Sequence, residues 1–164
     1  MKSISKIIKE TKDKTSFSTK WANAKYLFLK QTSTTETGTY GETLIVDLLK
    51  ELEYDAEIVN NGKGDFDTLL NNLIKLENKT ATIDVNGSFQ FNAIKKGNID
   101  YHYVFCLGVA YNKMYFEIIS KQFVEETLTT QMTKAGGGYK YTSKPKRMKL
   151  LNYKNLKEEV LKIV

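Results

Sequence analysis

Gly64-Asp65-Phe66-Asp67-Thr68-Leu69-Leu70, with its continuation Thr82-Ile83-Asp84-Val85-Asn86-Gly87-Ser88-Phe89-Gln90-Phe91-Asn92, decides how this chain is read. Both runs begin strand-like, and both set acidic residues among apolar neighbours. Asp84 stands inside Ala81-Thr82-Ile83-Asp84-Val85, where a half-buried strand ordinarily carries Thr, Val or Ile. A carboxylate there is costly unless it is paired, protonated or bound to a metal. Two such carboxylates on adjacent strands would suit a hard, oxygen-seeking cation.

Working outward, 164 residues are expected to form one domain with a sizeable core. Hydrophobic residues at 41% and charged residues at 27% describe an ordinary soluble globular protein, not a disordered one. The longest apolar runs, such as Val104-Phe105-Cys106-Leu107-Gly108-Val109-Ala110, are strand-length and too short to cross a membrane. Met1-Lys2-Ser3-Ile4-Ser5-Lys6 lacks the apolar core of a signal peptide. Cys106 is the one cysteine, which excludes an internal disulfide and a cysteine-based zinc cluster. In an apolar strand it reads as a small buried hydrophobe, and a reducing, cytoplasmic location is the expectation.

The formal charge of +6 is unevenly spread. Residues 1–30 hold eight lysines against Glu10 and Asp13, and residues 131–164 hold nine basic residues against Glu158 and Glu159. Residues 31–130 carry fifteen acidic and eight basic residues. Basic flanks thus enclose an acidic centre. One reading is solvated helix faces; the sharper one is a phosphate-binding rim around a metal-binding centre.

Ile4, Ile7 and Ile8 predict a short amphipathic helix over 3–13, followed by a polar loop over 14–18. Residues 19–30 predict a second helix with Trp21, Ala24 and Phe28 on one side, Trp21 serving as a core anchor. After a threonine-rich break over 31–38, Thr39-Tyr40-Gly41-Glu42 opens the strongest helix, striped by Leu44, Ile45, Leu48, Leu49 and Leu52. Glu42 falls on that stripe's face, either as a favourable charge near a helix N-terminus or as an inward carboxylate completing the acidic cluster. A short strand over 56–60 and a turn over 61–64 precede the strand holding Asp67. Residues 71–79 either extend that strand into a hairpin or form a helical turn. The next strand is expected over 80–86 and a helix over 89–97. Two buried strands follow, over 101–109 and 113–120, joined by a tight turn at Tyr111-Asn112. The lone His102 has no histidine or cysteine partner and reads as structural. A helix begins at Ser120, residues 135–149 form a basic glycine-rich loop that orders on a nucleic-acid backbone, and an amphipathic helix closes the chain.

This arrangement resembles the PD-(D/E)XK nuclease superfamily, and especially its small type II restriction-endonuclease-like members. The clearest stretch is Ile83-Asp84-Val85-Asn86-Gly87-Ser88-Phe89-Gln90-Phe91-Asn92-Ala93-Ile94 followed by the strand 101–109, similar to an acidic-x-Lys strand with its lysine replaced, then a helix and the next core strand. The resemblance implies an α/β fold, a restriction-endonuclease-like core with a central mixed β-sheet flanked by helices. Residues 41–124 would be the catalytic core, 1–35 a basic helical extension and 131–164 the basic loop and C-terminal helix.

Carried over, the resemblance makes Asp67 the first aspartate, Asp84 the second acidic residue and Glu42 the helix glutamate, with Asp67 and Asp84 holding Mg²⁺, or Mn²⁺ in its place. Asp65, Gln90 and Lys63 are second choices for the site. Asn86 stands where the motif has lysine, so it brings hydrogen bonds but no positive charge. Three expectations remain open: Asn86 is a tolerated variant; Lys63, Lys95 or Lys96 reaches in; or the protein binds DNA without cutting it. The activity implied is Mg²⁺-dependent endonucleolytic hydrolysis of double-stranded DNA, by a homodimer or by a subunit of a restriction enzyme. The alternative is a catalytically impaired DNA-binding protein or subunit on the same fold. Lys140, Lys144, Lys146, Arg147, Lys95 and Lys96 are the candidate DNA contacts.

Overall fold

The computed structural model describes residues 19–59, 64–129 and 138–164. The helix expected over 3–13, the loop after it, Lys63 and residues 135–137 of the glycine-rich loop lie outside the described residues.

Residues 19–30 are not one helix. A 3-10 turn, Thr19–Trp21, leads to a short helix α1, Leu27–Gln31. The face that turns inward is set by Trp21 and Leu29, both buried, while Phe28 is exposed. Trp21 meets the ring of Tyr111 edge-on at 4.9 Å, which is the anchoring role its composition suggests.

Helix α2, Thr34–Glu51, begins inside the expected threonine-rich break. Ser33 Oγ accepts from the Glu36 amide, and the Ser33 amide donates to the Glu36 carboxylate at 2.9 Å. This reciprocal cap satisfies two amides that would otherwise be orphaned, which outweighs the weak helix preference of three threonines. The apolar stripe behaves as read: Ile45 and Leu49 are buried, and Leu44, Leu48 and Leu52 pack against the core.

Six strands form one mixed sheet in the order β1-β2-β3-β5-β6-β8. They are β1 (Ala56–Ile58), β2 (Thr68–Leu70), β3 (Ile74–Thr82), β5 (Tyr103–Val109), β6 (Met114–Ser120) and β8 (Lys149–Leu150). β1, β2 and β3 make an antiparallel meander, β5 lies parallel to β3, and β6 returns antiparallel. The undecided stretch 71–79 is therefore a hairpin. Asn71 and Asn72 sit at φ 50° and 55°, the two left-handed positions of a type I′ turn, which asparagine tolerates best after glycine. The continuous apolar run of β5 is buried, as a strand covered on both faces should be, whereas β6 buries Met114, Phe116 and Ile119 and leaves the residues between them half-buried.

Further expectations fail. The strand holding Asp84 ends at Thr82, and Asp84 lies in the following turn. The helix expected over 89–97 is strand β4, Phe89–Ile94, paired with β7, Tyr139–Ser143. Its Phe-Gln-Phe-Asn alternation buries Phe89 and Phe91 and exposes Gln90 and Asn92, a period of two that overrides the helical reading. β7 in turn places Tyr139, Lys140 and Tyr141 in a strand, not in the loop expected there.

The β4–β7 ribbon covers one sheet face, with Phe89 so close to Gly108 that a Cβ there would stand 2.8 Å from the ring. Helix α2 covers the other: at Gly41 a Cβ would fall 1.8 Å from Thr80 Oγ1 on β3. Helices α3 (Lys121–Thr127) and α4 (Tyr153–Val160) complete the described residues. Trp21 and Leu29 near one end, and Leu156 and Val160 near the other, belong to the same core, so residues from 21 onward are integral to it. Among the described residues no helix is long and apolar enough to cross a membrane.

Candidate functional site

The β2–β3 pairing ends at Thr68↔Leu76, and Asp67, the next residue out, comes near enough to Glu77 for its charge to act on that carboxyl. Asp67 is held there from several sides. Its amide donates to Leu76 O at 2.9 Å, its carbonyl accepts from Val59 N, and its Oδ2 accepts from Asn78 N at 2.7 Å. The side chain thus takes over a ladder position where β2 no longer pairs. Asp84 lies seven residues beyond Glu77, on the order of 20 Å at strand rise. Asp67 and Asp84 do not come together.

Asp67 meets Glu77-Asn78-Lys79 instead. Glu77-Asn78-Lys79 has the acid-x-lysine spacing that the resemblance implies at Asp84. Residues two apart on a strand project to one side, and the Lys79 ammonium contacts Glu77 Oε1. Glu77 is only 4% exposed. Burial pushes its carboxyl up; Lys79 opposes this, Asp67 adds to it, and Lys95 opposes it more weakly. Glu42, on α2 directly after the Gly41 contact, is also raised, first by burial, then by Asp67, against Lys79, with Glu77 adding last. Three carboxylates on three elements therefore share one field, answered by Lys79 and Lys95. The unpartnered Oδ1 of buried Asn78, whose amide nitrogen donates to Thr68 Oγ1 at 2.7 Å, adds uncompensated polarity to the same strand.

The remaining candidates sit elsewhere. Asp65 Oδ2 accepts from Asp100 N at 3.2 Å and belongs to the loop, so Asp67 is the better choice of the two. Asp84 Oδ1 accepts from the amides of Asn86 and Ser88, both at 2.9 Å, and Oδ2 accepts from Gln90 Nε2 at 2.7 Å. Its slight burial works against ionisation, but the bonds from Gln90, Ser88 and Asn86 outweigh it and hold the carboxyl below its usual range. That is a turn-closing carboxylate, saturated by its own loop. Asn86 is exposed in the same turn, where it contributes its backbone amide.

Lys63 lies outside the described residues; of the other two lysines, Lys95 donates to Gly64 O at 3.4 Å and acts weakly on Glu77. Lys96 is committed to the Glu125 carbonyl and to the face of Tyr139, with its nitrogen 4.5 Å from the ring centroid. Lys144, Lys146 and Arg147 are exposed and Lys140 is half-buried. His102 Nδ1 accepts from Lys75 N, and Cys106 is fully buried with its thiol pushed up by burial, so both keep structural roles.

Glu77 and Lys79 were missed although a signal was present. Asn71-Asn72 marks the hairpin turn, and folding the chain there brings Glu77 near Asp67.

The donor set is hard oxygen. Among the described residues no three His, Cys, Asp or Glu side chains already stand in a ligating group. Mg²⁺ is typically held through one or two carboxylates and several waters, a donor set of the kind Asp67 and Glu77 could supply; burial first, and the neighbouring Asp67 second, raise the carboxyls of Glu77 and Glu42. Comparison with protein-family models and with curated proteins returns no match.

Proposed function

We propose that this chain is a Mg²⁺-dependent endonuclease that hydrolyses phosphodiester bonds of double-stranded DNA on a restriction-endonuclease-like core. The observation that carries the reading is the convergence of Asp67 with Glu77-Asn78-Lys79 beside Glu42. The order of elements supports it: a helix with an inward glutamate, an antiparallel meander with acid and acid-x-lysine on facing strands, and a fourth strand parallel to the third. One departure is that β4 stands where the resemblance has a helix.

Mg²⁺ held by Asp67 and Glu77 would neutralise charge on the scissile phosphate and acidify a water. Asp67 is pre-aimed because the Asn78 amide fixes one of its oxygens. Lys79, paired with Glu77 in the absence of metal, is placed to stabilise charge that develops on the phosphate, in a half-buried site where such stabilisation is strongest. Glu42, holding its proton more tightly than usual, is suited to orient water by hydrogen bonding. Lys79 supplies the positive charge whose lack at Asn86 motivated the reading of an impaired DNA-binding protein. Two-fold symmetric DNA sites favour a homodimer.

The test is cleavage of supercoiled plasmid in Mg²⁺ or Mn²⁺. Wild-type protein should nick or linearise it, Asp67→Asn and Glu77→Gln should lose that activity, and Lys79→Ala should lower it about 100- to 1,000-fold. Binding in Ca²⁺ should survive all three changes. Cutting by Glu77→Gln at the wild-type rate would remove the site assignment, and a wild-type protein that neither binds nor cuts DNA would remove the reading.

A further inference from the structure

The β4–β7 ribbon has two unlike faces. Phe89, Phe91 and Ile94 are fully buried against the sheet, and Phe91 stacks with Tyr141 at 6.2 Å. On the opposite face Gln90 and Asn92 project from β4, and the pairing Gln90↔Thr142 brings Thr142 and, two residues before it, Lys140 to the same side. That face is amide, hydroxyl and ammonium throughout. Nothing in the proposed hydrolysis uses it.

Three features indicate a face that is prepared, not merely solvated. First, Gln90 is exposed, yet its Nε2 is bonded at 2.7 Å to Asp84, whose other oxygen is closed by two backbone amides. An exposed glutamine ordinarily loses side-chain freedom on binding, and here that freedom is already restricted before any partner arrives. One amide N–H and Oε1 remain, the donor–acceptor pair that matches N7 and N6 of adenine. Second, the register shifts between Phe91 and Ile94, with Ala93 at φ 58° and Gly138 packed so closely that a Cβ would stand 2.6 Å from Ala93 Cα. A bulge of this kind bends a ribbon and re-aims its side chains. Third, Lys140 and Lys144 bring positive charge to the β7 side, complementary to a phosphate backbone. A two-stranded ribbon is also one of the shapes that the major groove of B-form DNA admits.

The ribbon is joined to the candidate site. Lys95, one residue past the end of β4, acts on Glu77, while Gln90 lies five residues back, about 17 Å along the strand.

We propose that the solvent face of the β4–β7 ribbon is the base-reading element of this protein, lying in the major groove with Gln90, positioned by Asp84, on an adenine edge. The inference rests on the nuclease reading above and extends it to sequence recognition. In it Asp84 is a positioning residue.

The test is selection of a random-sequence duplex library by the full chain in Ca²⁺, followed by sequencing. Wild-type protein should return a preferred sequence with an A·T pair at one fixed position. Gln90→Ala should flatten the preference there by roughly ten- to hundred-fold and leave the others standing. Asp84→Ala should weaken the same position and no other, an effect that a merely structural turn would not confine to one base. Gln90→Glu, an isosteric change on an exposed side chain, should move the choice away from adenine, since a carboxylate accepts where Nε2 donated; it answers the question if Gln90→Ala fails to fold. Plasmid cutting with no preferred sequence, or a preference untouched by Gln90→Ala and Gln90→Glu, overturns the inference and leaves the nuclease reading in place. A protein that neither selects nor cuts DNA overturns both.

Discussion

Glu42 and Glu77 hold their protons more tightly in the fold than in the unfolded chain, where a glutamate titrates near 4.5. Between that value and the raised folded values the native state binds more protons than the unfolded one, so this site's contribution to stability falls as pH rises. A group with this sign destabilises in its charged form, which here is chiefly the cost of burying the carboxylate, with the charge of Asp67 adding to it. Glu42→Gln should therefore melt at a higher temperature than wild type at pH 8, with the difference closing as pH falls toward 4.5 and closing also when Mg²⁺ is added at pH 8. Calorimetry over that pH range checks it; a difference that ignores both pH and Mg²⁺ would show that Glu42 does not share the field of Asp67 and Glu77. Asp84 has the opposite sign, because its amide partners favour the carboxylate; its contribution is lost only as pH falls through its lowered value.

At the scale of elements, Gly41 sets how closely α2 approaches β3, and so where Glu42, the next residue, lies. A Cβ at 1.8 Å from Thr80 Oγ1 and 2.9 Å from Thr80 Cβ cannot be accommodated without moving α2 off β3. Gly41→Ala should cost about 1–3 kcal/mol by overpacking, despite the better helix propensity of alanine, and cutting should fall with it because Glu42 is the next residue. Thr80→Ala in the same chain removes the hydroxyl at 1.8 Å but keeps the Cβ at 2.9 Å, so it should recover part of both losses; a purely additive pair, measured by denaturant unfolding, would deny the contact. The same element shows how a local signal is overlooked. Ser33 and Glu36 have the spacing of a reciprocal cap, yet the surrounding threonines mask it, so the helix starts earlier than its apolar stripe indicates.

For the whole molecule, the basic residues are not equally free to meet a partner. In the described C-terminal part, Lys144, Lys146 and Arg147 are exposed on the turn after β7, whereas Lys149 and Lys162 are paired with Glu159 at 2.7 and 2.6 Å. Changing Lys144, Lys146 and Arg147 together to alanine should lower the slope of log affinity for duplex DNA against log salt by roughly 2–3, without altering base preference. An unchanged slope, measured by titration at several salt concentrations, would place the phosphate contacts elsewhere.

The sequence by itself determined what depends on neighbours along the chain. The apolar runs became β5 and β6, the leucine stripe of α2 faced the core, and Trp21, His102 and Cys106 were legible as structural residues. Only the tertiary structure decided what depends on pairing. Asp84 and Glu77 both read as carboxylates near strands, and it is the register across Asn71-Asn72 that puts Glu77, and not Asp84, beside Asp67. Residues 89–94 became a strand because β7, some fifty residues later, pairs with them and the sheet buries their phenylalanines. The difference is physical. Periodicity records which face a segment buries, but hydrogen-bond register and charge clustering arise between segments distant in sequence, and no single segment carries both halves of such a contact.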